Sequence, residues 1–102
     1  MSLKAAFIFI APEADAYKHR TVVETPVVEL TVVGVDSYKT AAKVARELVE
    51  DGIGAIELCA GFGIEGTAAV NKVVKGSAVV GVVRFDNHPG LDFKSGDDIF
   101  KE

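Results

Sequence analysis

The chain has 102 residues, the length of one domain, and a core at this length buries roughly two-thirds of the surface that the unfolded chain exposes. Hydrophobic residues make up 49% and charged residues 25%, which excludes a disordered, collagen-like or low-complexity chain. The net charge of −4 argues against a polyphosphate backbone as main partner, so nucleic acid is not an expected ligand.

Cys59 is the only cysteine, so no intrachain disulfide forms and a reducing compartment, the cytoplasm by default, is expected. The apolar N-terminal stretch is followed by Pro12-Glu13 in place of a small-residue cleavage site, so it reads as a strand. No apolar run approaches the roughly 20 residues that span a bilayer, and no membrane partner is expected.

Along the chain, Lys4 to Ile10 is apolar on both faces, as in an interior parallel strand. Asp15 caps a predicted helix that runs to about Glu24, where Thr25-Pro26 disfavours continuation. Val27 to Val35 is β-branched and alternating, hence a strand with one drier face. Asp36 or Ser37 then caps a helix whose apolar residues Tyr38, Ala41, Ala42, Ala45, Leu48 and Val49 recur every three or four positions up to Gly52. Ala55 to Cys59 is a strand, Ala60 to Gly63 a turn, Glu65 to Lys75 a helix stopped by Gly76, and Ala78 to Phe85 a last strand. Residues 86–102 form a polar tail.

The order βαβαβαβ predicts a single layered α/β domain over 1–102, with a mainly parallel four-stranded sheet and about three crossover helices. Strand order stays open between flavodoxin-like and half-Rossmann arrangements. Three helices do not cover both faces of such a sheet, and Glu29 and Glu57 interrupt apolar strands, so a homo-oligomer that buries part of one face is expected.

In an open parallel sheet, ligands bind beyond the carboxyl ends of the strands. That edge receives Gly61-Phe62-Gly63-Ile64-Glu65-Gly66, whose small residues let backbone N–H groups at a helix start approach an anion. The spacing matches G-x-G-x-x-G, yet it follows the third strand and not the first, so a small anion fits better than a dinucleotide. Glu65 in the first helical turn counts against any anion. Arg84 ends an otherwise apolar strand and requires a partner: a ligand's carboxylate or phosphate, or else Asp86, Glu57 or Glu65. Cys59 with His88 offers a nucleophile and a base, although a lone cysteine at a strand end is more often a small buried hydrophobe. Asp86 and His88 lack a third ligand at metal-binding spacing, so no metal is expected, and no cofactor is indicated.

The stretches Glu57-Leu58-Cys59-Ala60-Gly61-Phe62-Gly63 and Val80-Gly81-Val82-Val83-Arg84-Phe85-Asp86-Asn87-His88-Pro89-Gly90 resemble the hallmark motifs of an uncharacterised family of small microbial proteins. Ala5 to Pro12 and Glu24 to Val35 are similar to it too. The resemblance implies a compact α/β protein and supplies no catalytic residue. The expected function is therefore binding of a small anionic molecule by Gly61, Phe62, Gly63, Gly66, Arg84 and Asp86. Its rivals are an oligomeric interaction module, in which Phe93, Ile99 and Phe100 find burial, and a small enzyme using Cys59 and His88.

Overall fold

A computed structural model describes residues 2–101. Five strands, β1 (Leu3–Ile10), β2 (Arg20–Glu24), β3 (Val28–Val35), β4 (Ala55–Leu58) and β5 (Val79–Val82), form one sheet in the order β2-β3-β1-β4-β5. Two helices, α1 (Tyr38–Glu50) and α2 (Ile64–Val74), make the crossovers from β3 to β4 and from β4 to β5. Two 3-10 turns, Pro89–Leu91 and Gly96–Asp98, follow in the tail.

Three expectations are corrected. The sheet has five strands and is mixed, because β2 pairs antiparallel with β3, and β1 lies at its centre, which is not the flavodoxin-like order. The helix expected from Asp15 to Glu24 is a single capped turn followed by β2. Asp15 does cap, its Oδ1 accepting from the Tyr17 and Lys18 amides at 2.8 and 3.2 Å, and those amides hold its carboxyl below the usual range. The chain then leaves the turn because Thr21-Val22-Val23 is β-branched and an edge of β3 stands open beside it. Thr25-Pro26 is indeed a boundary, but of a hairpin, with Thr25 Oγ1 accepting from the Val28 amide at 2.9 Å. β5 is shorter than expected, since residues 83–85 leave the sheet after one last bond from the Val83 amide to the Leu58 carbonyl at 3.2 Å.

The two crossovers run in the same direction across the sheet, so right-handed connection places both helices on one face. Their buried residues, Tyr38, Ala41, Val44, Ala45 and Leu48 on α1 and Gly66, Val70 and Val74 on α2, pack on Ala6, Ile8, Ile10, Val33, Val35, Ile56 and Leu58. Each large aliphatic side chain withdrawn here contributes about 1.5–3 kcal/mol before entropy is counted. Gly52 and Gly76 end the helices at φ +97° and +89°, a conformation that side chains resist. The loop between β1 and β2 adds Ala16 to the same core.

The opposite face carries the odd-numbered residues of β1, Ala5, Phe7 and Phe9, beside Leu30 and Val32 of β3. No helix lies over it among the described residues.

Candidate functional site

The carboxyl ends of the parallel strands meet the start of α2, where the sequence places its glycine string. All three glycines make room for this chain's own atoms. A Cβ at Gly61 would stand 2.8 Å from Ile10 Cγ2, one at Gly63 would overlap the Asp97 carboxylate, and one at Gly66 would overlap the Tyr38 ring. Gly66 thus lets α2 approach α1, and Gly63 lets the tail approach α2.

The tail brings a carboxylate to the helix end. Asp97 Oδ1 accepts from the Glu65 amide at 3.0 Å and more weakly from the Gly66 amide at 3.4 Å, while Tyr38 Oη donates to it at 2.9 Å. Tyr38 Oη in turn accepts from the Gly63 amide at 3.0 Å. Bare N–H groups and the positive end of the helix dipole make this a seat for a negative oxygen, and the chain itself supplies one. Burial raises the Tyr38 phenol well above its ordinary range; the Gly63 amide opposes that rise and the neighbouring Asp97 carboxylate adds to it.

Aromatic packing holds the seat in place. Phe62, fully buried, stacks on Tyr38 at 5.7 Å between centroids, and Phe100 closes on the same ring at 6.4 Å. Gly96 permits that closure, because a Cβ there would fall on the Gly61 carbonyl. Of the tail's apolar residues, Phe100 is buried and Leu91 partly so, whereas Phe93 and Ile99 remain exposed.

Cys59 and His88 have separate partners. Cys59 Sγ, half-buried at the end of β4, accepts from the Ile10 and Gly61 amides at 3.4 and 3.3 Å. His88 Nδ1 accepts from the Gly90 amide at 3.0 Å, and its ring meets the edge of Phe85, so it shapes its own turn. Among the described residues, no three of His, Cys, Asp or Glu cluster as metal ligands.

Arg84 stands at a groove between α2 and β5. Ile64, Ala68, Val80 and Val82 form its apolar walls, Thr67 and Asn71 add polar groups, and the cavity measures about 360 Å³. The guanidinium pairs with Asp86 Oδ1, at 2.7 Å from Nε and 2.6 Å from Nη2, with Asp86 largely in solvent and Arg84 about half so. Because the Val79 amide bonds to Gly54, just before β4, and the Val83 amide to Leu58, alternation turns the backbone of Val80 and Val82 to the free edge of the sheet.

The sequence motifs led to Arg84 and to the glycine turn. They did not lead to Asp97, to Tyr38 as its partner, or to the α2 wall of the groove. The only signal for Asp97 was an acidic residue two after Ser95, whose Oγ accepts from the Asp97 amide at 3.1 Å.

Fold and site together define a small two-layer α/β protein, with both helices on one side of a mixed sheet and a groove at the β5 edge. The chain belongs to a family of unknown function (DUF6506), whose model matches residues 3–98. No curated protein and no solved structure matches it. No helix among the described residues is long and apolar enough to cross a membrane.

Proposed function

We propose that this protein binds a small molecule with an apolar body and one anionic head, carboxylate or phosphate, in the groove between α2 and β5. The observation that carries this reading is Arg84, a cation at the mouth of a cavity otherwise walled mainly by aliphatic side chains. Its volume, about 360 Å³, lies within the range of small-molecule sites, roughly 300–1,000 Å³. An exposed ion pair such as Arg84–Asp86 is worth at most about 1 kcal/mol, so a ligand that also buries apolar surface can compete for the guanidinium. Planar, bidentate recognition of a carboxylate or phosphate is what arginine does better than lysine.

The glycine turn plays a different part in this proposal from the one its sequence implies. With Asp97 on the α2 amides, Gly61, Phe62, Gly63 and Gly66 support the groove from behind and do not touch the anion. Asp86 holds Arg84 ready until a ligand replaces it. A base role for His88 toward Cys59 would require His88 Nδ1 to give up the Gly90 amide, and binding in the groove does not.

Titration followed by amide NMR tests the proposal, with decanoate as a probe that has an apolar body and inorganic phosphate as a probe that has only a head. Decanoate is expected to shift the amides of Thr67, Ala68, Asn71, Val80 and Val82 saturably, and phosphate to shift only those near Arg84. In Arg84→Gln the decanoate affinity should fall roughly tenfold or more, the loss of a charged hydrogen bond. Unshifted groove amides, or an Arg84→Gln protein that binds decanoate as well as the parent, would overturn the proposal.

A further inference from the structure

The face of the sheet away from the helices is apolar across its width. Registered rows show which side chains share it: Val23, Leu30, Ala5 and Ala55 form one row, and Thr21, Val32, Phe7 and Glu57 the next. Leu3 and Val28 lie below them, Val79 beside Ala55, and Phe9 above. Phe9 lies across Gly34, where a Cβ would stand 2.6 Å from its ring, so the aromatic surface is laid flat against the sheet. Leu3, Val23 and Val79 are at least half exposed, at 52, 50 and 70%. Glu57 is the one charged residue in these rows.

We infer that this face is the interface of a homodimer, in which the sheets of two copies pack against each other. Area is the first argument. Five strands about 4.8 Å apart, with central strands some 26 Å long, present on the order of 500 Å² in projection, and side-chain relief raises the accessible figure. A stable interface buries about 800 Å² per partner, and the largest apolar patch on a typical monomer is about 300–600 Å², so the face approaches what a dimer needs and is large for a surface left in water.

Glu57, a carboxylate that a partner must not leave unpaired, restricts the geometry. A two-fold axis running across the strands through the Thr21–Glu57 row would set Glu57 over its own copy, two carboxylates in an apolar layer, which is strongly unfavourable. An axis along β1, the central strand, instead keeps the two carboxylates apart and sets each Glu57 over Val32 of the other copy's β3, one strand from the Thr21 hydroxyl that can donate to it. Strands of the two sheets then run nearly aligned, the common arrangement for sheets packed face to face. This inference is independent of the groove, which lies on the helix side.

Sedimentation equilibrium tests it. The parent is expected at twice 10.8 kDa at micromolar concentration. Leu30→Glu and Val23→Glu should each raise the dimer dissociation constant roughly 100-fold, because a charge is then buried against apolar surface. Val23 is half exposed in one copy and its variant folds without the partner, so the test does not depend on the fate of Leu30→Glu. Val83→Glu, beyond β5, should leave the mass unchanged. A parent that sediments at 10.8 kDa, or a dimer that survives Val23→Glu and dissociates with Val83→Glu, would overturn the inference; the latter would assign assembly to the β5 edge.

Discussion

The two helices of this fold begin in opposite ways. α1 is capped from next door: Ser37 Oγ accepts from the Thr40 amide at 3.1 Å, a bond across three residues. α2 starts at Gly63, which has no side chain to offer, and its amides are met by Asp97, 32 residues after Glu65. A local cap stabilises one helix. A remote cap also fixes where the tail lies, and here it joins Tyr38 of α1, the start of α2 and the tail in one hydrogen-bonded set. The contrast shows that the polar tail is a structural part of the α2 end.

The largest effect should come from removing the anchor that keeps the remote cap in place. Phe100→Ala is expected to lower unfolding stability by about 3 kcal/mol in urea denaturation, the lower range for a buried phenylalanine. Asp97→Ala should cost about 1–2 kcal/mol, by leaving α2 amides and the Tyr38 hydroxyl without their acceptor. Made in the Phe100→Ala background, the same change should cost much less, because the tail is already loosened; full additivity in that double-mutant cycle would mean the two contacts are independent. Ser37→Ala, the local counterpart, should cost about 1 kcal/mol in either background and so mark the difference between the two caps.

Alkaline pH gives the smallest of the expected effects. The phenol of Tyr38 is held above its ordinary value of 10.0, so its neutral form is favoured in the folded state. Its contribution to stability is full below that value. It declines as pH rises from there toward the folded pKa, because the unfolded chain releases the proton first. Denaturation midpoints measured at rising pH should therefore fall above about pH 10, and Tyr38→Phe should flatten that alkaline decline. A slope unchanged in Tyr38→Phe would assign the decline to other groups.

What the residues announced and what they concealed follows the same division between near and far. α1 was legible from Ser37 to Gly52 because its cap, its apolar spacing and its stop all lie within the segment. α2, β1, β3 and β4 were legible to within a residue or two at most ends for the same reason. β2 was misread as helix: Asp15 offers a cap that closes a single turn, and the edge of β3 that draws Arg20–Glu24 into the sheet is a tertiary fact. That misreading also cost the fifth strand and the mixed sheet. At the site, Arg84 was visible because a guanidinium after a run of valines is anomalous on its own. Its partner, Asp86, was among those foreseen. Asp97 was invisible, since one carboxylate in an acidic tail looks like any other until the chain folds back. The glycine string was recognised as a place of close approach, but spacing does not say what approaches, and here it is Tyr38, Asp97 and Ile10.

The remote cap also has a consequence in time. While the chain is being made, the start of α2 emerges with its amides unanswered, and Asp97 is added only 32 residues after Glu65. At roughly 5–20 residues per second, Asp97 is added seconds after Glu65, so this cap is among the last contacts open to the growing chain. The order of synthesis thus makes the Tyr38–Asp97 junction a late event in the birth of each molecule.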